Sequence, residues 1–256
     1  MTIKEADAQS SVFFYVTERR KTMSNYKRII LKLSGEALGE NGRLFDQELI
    51  SHVGRILAKI SQSGIELGVV IGAGNIWRGR QSQEMDAVTA DHMGMLGTVI
   101  NCLCMRDAVE RAGAKAVVFS AIDMPRVCEP YNVQSARQAM ADGKVVFFAG
   151  GSGNPFFTTD TAVVLRAAEM GADALLLAKN IDGVYDDDPR KNPNAKLIPD
   201  ISYNEALERR LKVMDTAAFA MLTEQAIPTV RVFGLAKPED ILRVLEGDSC
   251  GTVLHP

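Results

Sequence analysis

The chain has 256 residues, of which 46% are hydrophobic and 24% charged, and a formal net charge of −3. That is enough apolar material for a real core, in one large domain or two closely packed lobes. The charge balance argues against a nucleic-acid-binding surface, and no apolar run reaches the roughly 18 residues that would suggest a membrane span. Four cysteines (Cys102, Cys104, Cys128 and Cys250) form no C-x-x-C pair. They read as reduced, mostly buried thiols of a cytoplasmic protein, not as a disulfide frame or a zinc site.

Residues 1–25 read as a flexible leader. Their apolar stretch, Ser11 to Val16, is too short for a signal peptide and lacks a small-residue cleavage site. Met23 leaves a later start equally open. The domain proper is then 26–256. Tyr26 to Leu33 predicts a strand ending in Ser34-Gly35-Glu36. From Asp46 to Ser63, apolar residues at 49, 50, 53, 56, 57 and 60 predict a helix. Ile65 to Ile71 predicts a second strand, ending in Gly72-Ala73-Gly74-Asn75. After Trp77-Arg78-Gly79 and a polar loop, Asp91 opens a helix running to about Arg111. A third strand spans Ala114 to Ala121, a helix Val133 to Ala141, and a fourth strand Lys144 to Ala149. Thr161 to Met170 reads as a helix and Ala172 to Ala178 as a fifth strand. Lys179 to Pro199, rich in Asp, Asn and Pro, suits a functional surface loop. Helices near 202–209 and 215–225, a strand Pro228 to Phe233, a helix Pro238 to Glu246 and a strand Thr252 to Leu254 complete the chain. Near-continuous apolar strands alternating with helices predict an α/β fold: a three-layer αβα sandwich with a mostly parallel sheet.

Ligands of such sheets sit at the carboxyl ends of the strands. The joint Gly150 to Asp160 lies at one of them. Its glycines allow close backbone approach, its hydroxyls donate hydrogen bonds, and the helix behind it offers free N–H groups to an anion. Taken alone it reads equally as an ordinary capped loop, since Thr158, Thr159 and Asp160 suit a helix start. Ser34-Gly35 and Gly72-Ala73-Gly74 repeat the arrangement, and three such ends on one edge make a phosphate-friendly rim. No Walker A pattern, G-x-G-x-x-G fingerprint or protein-kinase catalytic-loop set occurs.

Phosphoryl transfer needs positioning and positive charge more than covalent help. Lys32, inside an apolar strand next to the rim, is the candidate cation; an edge position or a snorkelled chain is the plainer account. Arg78 is a candidate phosphate fork or a solvated loop arginine. Asp91 reads as a sugar-hydroxyl ligand or, more simply, as an N-cap. Asp160 and Asp215 each begin a helix, and if both face the rim they flank Lys32 and fix its ammonium.

Lys32-Leu33-Ser34-Gly35-Glu36, Gly72-x-Gly74-Asn75, Asp91-His92-Met93-Gly94-Met95, Gly153-Asn154-Pro155-Phe156-Phe157-Thr158-Thr159-Asp160, Asp182-Gly183-Val184-Tyr185 with Asp188-Pro189, and Val213-Met214-Asp215 occur in that order. From about Tyr26 to the C-terminus the chain closely resembles the bacterial uridylate kinases of the amino-acid kinase family. The resemblance implies that family's carbamate kinase-like sandwich, with residues 26–160 as the UMP lobe and 161–256 as the ATP lobe. It implies phosphoryl transfer from ATP to UMP with Mg2+, in pyrimidine nucleotide synthesis. A relative acting on a carboxylate or carbamate would need amino-acid recognition in place of Asp91 and the 153–160 loop. Carried over by motif, Lys32, Asp160 and Asp215 are the catalytic group. ATP is met by Lys32, Leu33, Ser34, Gly35, Gly74, Arg78, Lys179, Tyr185 and Asp188. UMP is met by Ala73, Asp91 and the loop Ser152, Gly153, Asn154, Pro155, Phe156, Phe157, Thr158 and Thr159. The resemblance leaves the metal ligands unknown. It also implies a homohexamer, activated by GTP and inhibited by UTP. Two features depart from the family pattern: Ala73 stands where a glycine is usual, and the segment Gly39 to Arg43, where GTP activation is placed, is short.

Overall fold

The computed structural model describes residues 24–39, 42–77, 85–211 and 213–256. The leader reading thus falls, for residues 1–23, outside the described residues, as do Glu40, Asn41, Arg78, Gly79 and Lys212. The elements run β1 (Arg28–Leu33), α1 (Gln47–Gln62), β2 (Glu66–Ile71), α2 (Ala87–Arg111), β3 (Ala116–Ser120), β4 (Glu129–Pro130), α3 (Val133–Ala141), β5 (Val145–Ala149) and α4 (Thr159–Met170). They continue with β6 (Ala174–Lys179), β7 (Val184–Tyr185), β8 (Leu197–Ile198), β9 (Asp200–Ser202), α5 (Tyr203–Glu208), α6 (Thr216–Glu224), β10 (Val230–Gly234), α7 (Asp240–Leu245) and β11 (Thr252–His255). A short 3-10 helix, Gly35–Leu38, follows β1.

Nine strands form one sheet in the order β4-β3-β5-β2-β1-β6-β10-β11-β9. Every neighbouring pair is parallel except β10 with β11. The parallel strands are buried on both faces, which is why they read as unbroken apolar runs. Along β1, side chains alternate between two cores. Ile29, Leu31 and Leu33 pack with α1, α2 and α7, and Ile30 packs with α3 to α6. The sandwich therefore has three layers, as the sequence predicts. Where α1 crosses α2, a Cβ on Gly54 would stand 2.9 Å from Ala108, so only glycine allows that approach.

Some boundaries move. Asp91 does not open α2. The helix starts at Ala87, and the Asp86 carboxylate caps it by accepting the Thr89 N–H at 2.9 Å. Asp86 and Asp91 are both plausible N-caps in the sequence, and the cap hydrogen bond to Thr89 selects the earlier one. Likewise α4 starts at Thr159, because the Thr158 hydroxyl accepts from the Asp160 and Thr161 amides. The expected loop 179–199 contains a small hairpin, with Val184 opposite Ile198 and Tyr185 opposite Leu197. Three-residue β9 extends the main sheet beside β11 and is too short for a period to register. Of the four free thiols, Cys102 and Cys128 are buried, while Cys104 and Cys250 are partly exposed.

Candidate active site

The two-residue period of β1 sets Lys32 on the same face as Ile30, toward α4. Its ammonium lies 2.6 Å from Asp160 Oδ1 in the first turn of α4, and the two side chains are 16% and 18% exposed. Parallel pairing of β1 with β6 brings a second lysine to the same spot. Lys179, the last residue of β6, lies 3.8 Å from Asp160 Oδ2 and donates to the Val213 carbonyl. One carboxylate thus stands between two ammonium groups, and the Asp215 carboxylate also acts on Lys179. Burial pushes the Lys179 pKa below the ordinary lysine range, with Lys32 adding to the effect and Asp160 opposing it.

Asp215 does not flank Lys32 as expected. Its carboxylate accepts the Thr158 and Thr161 hydroxyls and the Ala218 N–H, so it caps α6 and ties that helix to the start of α4. Burial raises its pKa, but the hydrogen bonds from Thr158, Ala218 and Thr161 more than offset this and hold it below the ordinary carboxyl value. The sequence reading assigns Lys32 to both aspartates. The structure instead gives Asp215 two hydroxyls, which lie one helical turn apart on α4.

Around this group lies a cavity of about 560 Å³ at the carboxyl ends of β1, β2 and β5. The three glycine-containing ends meet there. Lys32, Ser34 and Gly35 line it from β1, and Ala73 and Gly74 from β2. Asp91 on α2 and Ser152, Asn154, Phe156, Phe157, Thr158 and Thr159 of the loop line it as well. A Cβ on Gly35 would fall 2.5 Å from the Gly72 carbonyl and 2.3 Å from Asn75 Oδ1, so the rim closes only around glycine. Ala73 is not among the described residues with positive φ. Its methyl lies against Gly97 of α2, where a second Cβ would come within 2.9 Å. The missing glycine at 73 is thus matched by a glycine across the contact.

Asp91 is inside α2, and its carboxylate accepts the Phe156 N–H at 2.7 Å. Phe156 has φ of 71°, a left-handed conformation that costs an aromatic residue energy. The bond from Asp91 holds the loop in that shape, and Phe156 and Phe157 remain 71% and 51% exposed at the cavity.

A second cavity, of about 380 Å³, opens on the other side of the lysines. Lys179, Tyr185 and Asp188 line it, with Leu211, Val213 and Val232 as apolar walls. Three further candidates among the described residues are not brought to either cavity wall. The Leu33 side chain is buried in the core, Gly153 packs against Ala121, and Pro155 is partly exposed away from the lining. Arg78 lies outside the described residues.

Two polar residues of α2 escaped the sequence reading. Asn101, fully buried, donates to the Gly72 carbonyl at 2.7 Å and exchanges hydrogen bonds with Asn75. Thr98 accepts the Gly150 N–H at 2.8 Å. They lie three apart, hence on one helix face, and both steady glycine-rich turns. A threonine and an asparagine among the apolar residues of a buried helix were the available signal.

Residues 27–233 match the amino acid kinase family. A uridylate kinase of Methylococcus capsulatus is 47% identical over 232 residues, covering 90% of this chain and 97% of that protein. The crystal structure of UMP kinase from Bacillus anthracis superposes with a TM-score of 0.85 at 37% identity, over 90% of this chain and 96% of that one. UMP kinase from Ureaplasma parvum gives 0.85 at 36% identity, over 90% and 99%.

Proposed function

The chain belongs to the amino acid kinase family, and we infer that it transfers the terminal phosphoryl group of ATP to UMP, giving ADP and UDP. The observation that carries this reading is a pair of cavities whose wall lysines, Lys32 in one and Lys179 in the other, both contact Asp160. UMP occupies the first cavity, where Asp91 is available to ribose hydroxyls and the 152–159 loop surrounds the nucleotide. The adenosine of ATP occupies the second, between Tyr185, Asp188 and the apolar walls. Its phosphates reach the Ser34-Gly35 turn and Lys32. Residues 26–160 thus serve the acceptor and 161–256 the donor.

An oxygen of the UMP phosphate forms a bond to the γ-phosphorus as the bond from that phosphorus to the β,γ-bridging oxygen breaks, and the electron pair leaves on ADP. No general base is required, because a phosphate monoester with a second pKa of about 6 is already largely dianionic near neutrality. The Lys32 ammonium, oriented by Asp160, meets the charge gathering on the transferred group. Asp215 acts one step back, by fixing Thr158 and Thr161.

Kinase chemistry with ATP implies a divalent metal. The described residues hold no group of three or more His, Cys, Asp or Glu side chains that would cage one. Asp160 is a hard oxygen donor at the phosphates, and this fits an ion held chiefly by the nucleotide, as Mg2+ commonly is. When bound it neutralises phosphate charge. We assign Mg2+ on that donor chemistry.

The exposed residues Met93, Leu96 and Ile100 line one side of α2 and favour a homo-oligomer, which we take to be a hexamer. GTP and UTP are the effectors the resemblance suggests, in the cytoplasm. No described helix is long and apolar enough to cross a membrane.

The test is ADP release from ATP–Mg2+ with each nucleoside monophosphate in turn, repeated with GTP and with UTP. Turnover on UMP is the expected result. Turnover on aspartate, glutamate or carbamate instead would overturn the acceptor. Asp91 and the 153–160 loop already argue against that alternative.

A further inference from the structure

Arg166 is 3% exposed, in the middle of α4, and lines neither cavity. A buried guanidinium needs a reason, because taking it out of water is costly unless it is fully paired. Three contacts account for it. One arm lies 2.5 Å from Glu169 Oε2. The guanidinium carbon stacks 3.8 Å from the centre of the Tyr131 ring. The other arm donates to the Gly151 carbonyl at 3.3 Å. Tyr131 and Glu169 are themselves fixed: the Tyr131 hydroxyl donates to Glu169, and its ring meets Phe148 of β5 edge to face. Arg166 is therefore a rigid post rooted in α4 and β5, and its free end reaches the first cavity's loop.

That loop needs such a post. Gly150, Gly151 and Gly153 all have positive φ, so its shape is not set by side-chain sterics. Besides the Asp91–Phe156 bond further along, two outside anchors hold its glycine turn. Thr98 of α2 accepts the Gly150 N–H, and Arg166 holds the next carbonyl. In a trans peptide the carbonyl and the following N–H point opposite ways. With the Gly151 carbonyl turned back to Arg166, the Ser152 N–H points away from α4.

We propose that Arg166 is a positioning residue for the acceptor: it fixes the Gly151–Ser152 peptide so that the Ser152 N–H is presented to a hydrogen-bond acceptor of UMP. The proposal rests on the assignment of UMP to the first cavity. Arginine is needed at this position because a planar fork serves Glu169 and Gly151 at once while stacking on Tyr131. Lysine keeps the charge but offers neither the fork nor the stacking plane.

The test is steady-state kinetics and UMP calorimetry on Arg166→Lys, and on Arg166→Met combined with Glu169→Gln, which leaves no buried unpaired acid. The KM for UMP rises about tenfold in both, as expected for losing one well-placed hydrogen bond to the nucleotide. The KM for ATP and kcat at saturating UMP stay within about twofold, a split that a loosened fold would not give. An unchanged KM for UMP, an equal effect on both substrates, or failure of both variants to fold overturns the proposal. Asp91→Asn separates this from the underlying assignment. If UMP lies elsewhere, Asp91→Asn also leaves its KM unchanged. If only the role of Arg166 is wrong, Asp91→Asn raises the KM for UMP and the Arg166 variants do not.

Discussion

At the scale of single residues, the site is a contest over one carboxylate. Asp160 holds Lys32 at 2.6 Å and Lys179 at 3.8 Å, so Lys32 is the better-placed ammonium for the transferred group. Lys32→Ala removes a charge that matters most as phosphoryl oxygens gather electron density. It should lower kcat by roughly a thousandfold while calorimetry finds UMP affinity nearly unchanged; an equal loss of UMP affinity would make Lys32 a binding residue instead. Asp215 supplies a second test. Its folded pKa lies below the ordinary value of 3.8, so the folded state binds fewer protons than the unfolded one near that pH. Its stabilisation is present above the ordinary value and lost as the pH falls through the folded pKa. Asp215→Asn should therefore be less stable than the parent at neutral pH, with the gap in urea midpoints closing below pH 3.8. A gap independent of pH would remove the carboxylate from the account. Lys32 and Asp160 were legible in the sequence because a charged residue in an apolar strand demands a partner. The partners of Asp215 were not, because Thr158 and Thr161 look like any helix start until α6 is packed against α4.

At the scale of elements, glycine placement carries the site. The glycine-containing strand ends were visible in the chain, and so was their gathering on one edge, since parallel strands all point their carboxyl ends the same way. What the sequence did not disclose is which glycine is indispensable. Gly35 is the case the structure decides. It opens the 3-10 helix after β1 and passes between the Gly72 carbonyl and Asn75, where a Cβ would come within 2.5 Å of backbone. Backbone cannot swing aside as a flexible side chain can. Gly35→Ala should separate the ends of β1 and β2 and weaken the Asn75–Asn101 exchange that closes the rim. We expect kcat/KM to fall by roughly a hundredfold with ATP, while the thermal midpoint drops by only a few degrees, about 1 kcal/mol in a domain of this size. Activity within a few-fold of the parent would mean the rim tolerates a wider spacing than its geometry suggests. Short pieces such as β9 and the β7–β8 hairpin escaped notice for a different reason. Two or three residues cannot express a period; β9 finds its partner only at the edge of the completed sheet, and β7 and β8 only in each other.

At the scale of the molecule, the continuous sheet fixes how the two cavities face each other. β1 and β6 are hydrogen-bonded neighbours, and the lysines near their carboxyl ends, Lys32 and Lys179, open into different cavities while sharing Asp160. Two nucleotides bound on either side then meet at their phosphates, with no protein nucleophile between them. Among the described residues, lysine and aspartate at the junction are paired and no cysteine or histidine lines either cavity, which favours direct passage of the phosphoryl group between substrates. This predicts sequential kinetics: double-reciprocal plots at several fixed UMP concentrations intersect, where a phospho-enzyme route would give parallel lines. It also predicts that adenosine and uridine joined through five phosphates, which span both cavities in one molecule, inhibit competitively against ATP and against UMP alike. Because the joined compound loses translational freedom once instead of twice, it should bind at least about a hundredfold more tightly than either substrate alone. Competition against only one substrate would mean that the two cavities do not open onto a common line, and that Asp160 links two sites which act separately.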